Sequence, residues 1–514
     1  MRTAKRVTLV ALCAAALVLE ACPTVRVPEL MDASRMTAAN PGNYPLKVHL
    51  RSGDLLVLNS WSDLPGDSGL AGRGSRYDVR RRPVGPFSGR IARDSIALLE
   101  MTRGQVAYPV GSVVLGVYTV LAGAVTIACL ADPKSCFGSC PTFYLDEAQD
   151  RPVAEGFSGS VARSLEATDI DYLAEAHATG RSFAITMRNE ALETHAVRSV
   201  RLLVAARPDG GSVVAAGDGR MYAASEPAAP ARCESRDGDC TALVSRRDGR
   251  AWFSRADSTD LGASDSVDLI FPAIGGSAAL VVTARQSLAS TYVFYQSLAY
   301  AGSRAGEILA AVEREGASAF GGAWTLMHRL GSVEVLLRSM DGTWLPVGAF
   351  GEPGPIAADR QAVPLGPVAA GPVRLRLRFA RGAWRFDELG LVALGSLVRP
   401  ITLDPARVER DGVADTLALT RLRDPNRYLV TNRGDQYRIV FDLPADGANL
   451  EFFLESTGYY YEWMRPEWLR EENPAMLALI AVNPAAALRA MAPGYARLEP
   501  RFEELFWASR FGGR

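Results

Sequence analysis

The clearest spacing for chemistry in this chain belongs to its cysteines. Cys233 and Cys240 bracket the polar turn Glu-Ser-Arg-Asp-Gly-Asp, a separation that a local disulfide would close with roughly 2.5 kcal/mol of chain-entropy stabilisation. Cys129, Cys136 and Cys140 form a second group, read as a Cys136–Cys140 pair with Cys129 buried as a thiol. Zinc is disfavoured at both groups, because no histidine stands at ligand spacing from either. For acid-base work the one local grouping is His195 with Glu190 and Glu193, and a hydrogen-bonded core or surface histidine is expected there rather than a base or ligand. The acid pairs Asp169 with Asp171 and Glu471 with Glu472 read as solvated faces. Gly156-Phe-Ser-Gly-Ser160 puts serine where a nucleophile elbow needs its last glycine, so Ser158 receives no role. No lysine follows a glycine and no His-Glu-x-x-His occurs, which excludes a P-loop and a zincin helix. The residues therefore assign no catalytic group, metal ligand or cofactor.

Aromatic side chains supply the remaining binding chemistry. Trp344 and Trp384 fall near turns of a β-rich segment, and Tyr459, Tyr460 and Trp463 open the C-terminal tail. Rings of this kind stack on sugars or anchor protein contacts when exposed, and fill cores when they are not. These five residues are the candidate binding surface.

The elements that would position these groups follow an export-like beginning. Arg2, Lys5 and Arg6 precede the apolar run Val7 to Leu19, the pattern of a secretory signal. Disulfide-forming cysteines suit the same oxidising compartment. Of 56 basic residues only Lys5, Lys47 and Lys134 are lysine, and the formal net charge is -1; no long-range field recruits nucleic acid. With 48% hydrophobic and 22% charged residues, the chain has the composition of globular domains.

Periodicity then divides the chain. Residues 1–21 read as the signal and 22–45 as a polar tether. Residues 46–103 form a small β module, and 104–145 hold the apolar block Val110 to Ala131 with the second cysteine group. At ~1.5 Å per residue that block is long enough to cross a bilayer core, but flanking charge gives no orientation, and a helix packed in the protein or lying on a membrane is the favoured reading. Residues 146–284 read as an antiparallel β-sandwich and 285–330 as a helical linker. The unit 331–395 has the cleanest alternation: in Val373-Arg-Leu-Arg-Leu-Arg-Phe379 every second residue is apolar. A β stretch, 396–455, and a helical tail, 456–514, complete the chain. In the tail Asn473-Pro474 and Asn483-Pro484 each supply an N-cap and a first-turn proline. The fold class is thus mainly β with helical additions.

Three resemblances add expectations. Leu19-Glu-Ala-Cys22 resembles a bacterial lipobox, although Glu20 stands where a small residue is usual; the resemblance implies acylation of Cys22 and a membrane tether through lipid, and Pro23 implies the outer membrane, periplasmic side. Residues 331–395 resemble galactose-binding-like jelly rolls, which implies loops able to hold glycans. Cys140-Pro-Thr-Phe-Tyr144, Ala154-Glu-Gly-Phe157, Ser164-Leu-Glu-Ala-Thr-Asp169, Asn189-Glu-Ala-Leu-Glu-Thr-His195 and Ser456-Thr-Gly-Tyr-Tyr look like a group of uncharacterised lipoproteins of Gram-negative bacteria. The resulting expectation is a non-enzymatic envelope component that binds an envelope protein or glycan. Its rivals are an envelope hydrolase with acids from distant segments, and a membrane-spanning protein that uses Val110 to Ala131.

Overall fold

The structure is a computed structural model that describes residues 24–31, 46–50, 54–64, 69–77, 83–106, 140–147, 151–178, 180–191, 193–316, 322–351, 354–444, 447–462, 468 and 471–508. Cys22, Cys129, Cys136, Trp463 and the apolar block lie outside them. Among the described residues no helix is long and apolar enough to cross a membrane. The chain divides into two compact units.

The first unit holds a six-stranded antiparallel sheet. Its core is Leu46, Val48, Leu56, Leu58, Trp61, Leu70, Ile91 and Ile96, set by alternating apolar positions in Leu46–Leu50 and Leu55–Leu64. Gly74 lets its strand approach the neighbouring one: an added Cβ would stand 1.9 Å from the Val57 carbonyl oxygen. The expectation of a polar tether over 22–45 is corrected in part, because Thr24–Met31 is a strand paired with Ile96–Val106 along its whole length.

In the second unit, two sheets form a sandwich. One contains Thr142–Leu145, Pro152–Glu155, Ser182–Arg188, Arg407–Arg410, Val413–Ala414 and Gln436–Asp442; the other is built on Glu193–Ala206 and Leu450–Glu462, with Ala167–Tyr172 on its edge. Phe143, Ile185, Ile439 and Phe441 from the first meet Leu202, Val204, Phe452 and Leu454 from the second. The second sheet is covered on both faces, since Leu203, Ala205 and Phe453 pack outward on Val213, Ala215 and Met221 of the next sheet.

That next sheet, Gly211–Ala215, Met221–Ser225, Trp384–Val398, Ser277–Gln286 and Asp359–Pro367 in spatial order, closes on itself. A parallel bridge between Ala216 and Ala362 joins its two outer edges, and Val214, Ala224, Ala279, Val281, Ala362 and Val392 fill the interior. Small interior residues suit so narrow a barrel. A six-stranded sheet containing Ser264–Ala273, Pro372–Ala380, Ser332–Arg338 and Trp344–Gly351 lies against its outside, with Phe379 and Phe386 in ring contact at 5.2 Å.

Three expected boundaries therefore differ from the structure. The sandwich is not confined to 146–284: strands from 401–462 complete it, whereas the strands of 211–286 enter the barrel and the outer sheet. The segment 331–395 is not a self-contained jelly roll: its strands are shared between the barrel and the outer sheet, each completed by strands from before residue 287. Likewise the linker helices Leu288–Ala301 and Gly322–Gly331 pack with the tail helices Pro474–Val482 and Pro484–Ala508. Tyr292 meets Tyr495 at 5.3 Å between ring centroids. Long-range pairing leaves no local periodicity, so the sequence could not announce these arrangements. The caps do appear as expected: Asn473 accepts from the Met476 amide and Asn483 from the Ala486 amide, each over 3.1 Å.

Candidate functional site

The Ser332–Arg338 and Trp344–Gly351 strands form a hairpin on the rim of the outer sheet. Its turn is tied by Ser339 and Asp341: the Thr343 amide donates to Asp341 Oδ1 over 3.0 Å, and Ser339 Oγ donates to the Thr343 carbonyl over 2.9 Å. Gly342, at φ 87°, supplies the left-handed residue that the turn requires. This tight turn lifts Met340 clear of the sheet at 94% exposure, with Leu345 at 48%. Trp344 is partly buried. Arg338, directly opposite in the register, places its guanidinium 5.7 Å from the indole, and Arg376 from the neighbouring strand lies at 4.5 Å. Arg376 is itself oriented by two bonds to Asp268, of 2.6 and 2.7 Å. The charges thus fix the ring in a defined pose on the face of the hairpin that carries Arg338.

The other candidate rings are not exposed. Trp384 is fully buried, stacked on Phe386 and edge-on to Phe350. It begins a barrel strand rather than a loop, and its indole seals the contact between barrel and outer sheet. Tyr459 and Tyr460 belong to Leu450–Glu462, not to the helical tail, and both are buried. Strand pairing with Ala196 and His195 holds them there. Trp463 lies outside the described residues. Of the four candidates among the described residues, only Trp344 is placed where a partner can reach it.

The cysteines divide likewise. Cys233 and Cys240 are disulfide-bonded across the short hairpin of Arg232–Ser235 and Gly238–Asp239. Cys140 is a free buried thiol, so the expected pairing with Cys136 is corrected. Its position at the entry to Thr142–Leu145 directs it into the sandwich core, where burial, then the charges of Glu155, Glu193, Asp169 and Glu462, push its pKa well up. A thiol held neutral is a poor nucleophile and ligand.

His195 is fully buried, with Nε2 3.0 Å from Glu193 Oε2, as expected of a hydrogen-bonded core histidine. Around it Tyr295 donates to Glu462 and, over 3.4 Å, to Glu193. Tyr144 donates to Glu190 over 2.9 Å. This network ties helix Leu288–Ala301 to the strand ends.

The Gly156-to-Ser160 turn also has a structural role. Phe157 adopts φ 41° and its amide donates to Asp169, while the Tyr460 hydroxyl donates to the Ser158 carbonyl over 2.9 Å. Asp171, by contrast, is 6% exposed, so the solvated-face reading of Asp169 with Asp171 is corrected. The two share one side of Ala167–Tyr172, and that side faces Leu454 and Ser456 inside the sandwich. Sequence reasoning missed Asp171 because an isolated short strand does not reveal which of its faces is covered. Among the described residues no group of three or more histidine, cysteine, aspartate or glutamate side chains could hold a metal ion.

No family model matches the chain, and no curated protein matches it. Among solved structures it is similar to the infectious bursal disease virus Gx strain, with 9% identity, 95% of this chain and 94% of that chain covered, and a TM-score of 0.11. A Salmonella alpha-2-macroglobulin mutant is similar at 9% identity, with 80% of this chain and 34% of that chain covered and a TM-score of 0.08. Neither similarity carries an argument about fold or function.

Proposed function

We propose that the chain is a non-enzymatic docking component of the bacterial cell envelope, anchored through lipid on Cys22 and engaging an envelope protein through the Trp344 hairpin. The observation that carries this reading is the partly buried Trp344 ring, held by Arg338 and Arg376 on a rim hairpin whose turn exposes Met340. Tryptophan, methionine and arginine are the residue types enriched at protein interfaces and their hot spots. The Arg376 guanidinium, 4.5 Å from the indole centroid, takes up ring surface on which a sugar would stack, and this favours a protein partner over a glycan. The hydrolase reading is less well supported, because the acids that converge from distant segments, Glu155, Asp171 and Asp359, are buried away from any substrate. Surface acids such as Asp268 and Glu334 are engaged by Arg376 and Arg378.

Two variants test the proposal. Trp344→Ala leaves the melting temperature within a few degrees of wild type, since the ring is only partly buried, yet weakens partner capture by about 30-fold, the size of an interface hot spot. Photo-crosslinking from position 340 in intact cells reads the capture. Equal crosslinking by wild type and Trp344→Ala would remove the hairpin from the function. Cys22→Ser releases the protein into the soluble fraction under carbonate wash if lipid is the anchor. Retention of the variant in the membrane would overturn lipid anchoring.

A further inference from the structure

Strand Ala167–Tyr172 lies on the edge of its sheet, paired on one side with Leu450–Glu462. On its other side it meets barrel strand Asp359–Pro367, and the Tyr172 amide donates to Asp359 Oδ1 over 3.3 Å. That bond brings Asp359 beside Asp171. Each is 6% exposed. Their surroundings differ: Asp359 accepts from the Tyr172 amide, whereas Asp171 Oδ2 has no hydrogen-bond partner among the described residues. A buried carboxylate without donors is strongly disfavoured, but the neutral acid is tolerated and can itself donate.

We propose that Asp171 and Asp359 form a proton-held latch between the sandwich and the barrel, closed while Asp171 carries its proton and loosened when the proton leaves. The neighbouring charges give the latch its direction. Asp169 shares the strand face of Asp171. Glu155, from Pro152–Glu155, accepts from the Ile356 amide at 3.3 and 3.2 Å from its two oxygens. On Leu450–Glu462, Glu451 is engaged by the Tyr172 hydroxyl and by Arg207. The nearby cations are committed elsewhere. Arg360 covers the Tyr172 ring at 5.2 Å and reaches towards Ser212 and Glu388, and Arg247 reaches the Ala174 carbonyl. Burial first, then Asp359, Asp169 and Glu155, hold the Asp171 carboxyl well above the usual aspartate range. Burial also raises Asp359, against its hydrogen bonds.

A folded pKa raised above the unfolded value fixes the sign. The contribution is complete below the unfolded aspartate value of about 3.9 and is lost as pH rises through the folded value. Loss puts two like charges into one joint and separates Ala167–Tyr172 from Asp359–Pro367.

The experiment compares the whole chain with Asp171→Asn, an isostere that stays neutral. In wild type, amide exchange at 167–172 and 359–367, corrected for intrinsic rates, is expected to be about tenfold faster at pH 9 than at pH 5. Asp171→Asn abolishes the difference and raises the melting temperature at pH 9 by about 2–4 °C. Infrared spectroscopy supplies a readout that does not depend on the variant folding: wild type keeps the carbonyl band of a protonated carboxylic acid above the pH at which an ordinary aspartate has lost it, and a further rise in pH removes it. Absence of that band, or a pH dependence unchanged in Asp171→Asn, overturns the latch. The docking hairpin takes no part in either readout, so this test and that of Trp344 fail independently.

Discussion

Trp384→Ala is expected to destabilise the second unit by about 3–5 kcal/mol, the cost of deleting a fully buried tryptophan and leaving a cavity. The side chain is 0% exposed, stacks on Phe386 at 6.1 Å and meets Phe350 edge-on at 5.4 Å. Phe350 belongs to the outer sheet and Phe386 to the barrel, so truncation empties the seam between them instead of one side chain's niche. The surrounding rings cannot collapse inward, because the strand bearing Trp384 is pinned by its register with Gln286. A control separates packing from recognition. Trp384→Phe keeps an aromatic face and removes an indole N–H that has no hydrogen-bond acceptor among the described residues, so it is expected to cost less than about 1.5 kcal/mol. Denaturant melts of the three proteins measure both effects. A Trp384→Ala variant that melts like wild type but loses a ligand would restore Trp384 to the binding surface.

That contrast between Trp344 and Trp384 shows where sequence reading stops. Both follow turns in a β-rich segment, and nothing in their neighbours' composition tells a rim position from a seam between two layers. Pro372–Ala380 was legible because one of its faces is solvated, and its burial alternates as its residues do, Leu375 and Leu377 buried and Arg374 and Arg378 exposed. Leu450–Glu462 was legible only in its first part, within the β stretch 396–455; Tyr459 to Tyr461, buried continuously in a sheet covered on both faces, were assigned to the helical tail. A strand without alternation resembles the start of a buried helix. Short-range chemistry survived better. The Cys233–Cys240 bond and the two asparagine caps depend on residues a few positions apart, whereas closure of the barrel at Ala216 and Ala362 and the meeting of Asp171 with Asp359 depend on segments far apart in the chain.

The last helix shows a local pattern joined to a distant partner. Tyr495, Leu498, Phe502 and Phe506 are buried along one face, as their spacing requires. Glu503 adds a charged attachment: it accepts from Arg285 over 3.1 and 2.6 Å and from Arg385 over 2.8 Å. The three side chains are 18–21% exposed, so solvent screens the cluster only partly. Glu503→Ala removes charge-assisted bonds to both guanidinia and leaves two cations facing each other against the protein, at an expected cost of about 3 kcal/mol. Hydrogen exchange over 484–508 should rise more than exchange elsewhere, because the anchor lost is that of the helix. Acidity tests the same contact in the unmodified chain. Burial alone would raise the Glu503 carboxyl, but Arg285 and Arg385 outweigh it and hold the group below the usual glutamate range. The contribution is therefore present above the unfolded value of about 4.3 and is lost as pH falls through the lower folded value. Protection of the helix should weaken in that acid window in wild type, and Glu503→Gln, already neutral, should show weakened protection at every pH without the acid step. Exchange in Glu503→Gln that keeps the acid step of wild type would assign the attachment to another carboxylate, with Glu499, which accepts from the Ala256 amide over 2.8 Å, the next to change.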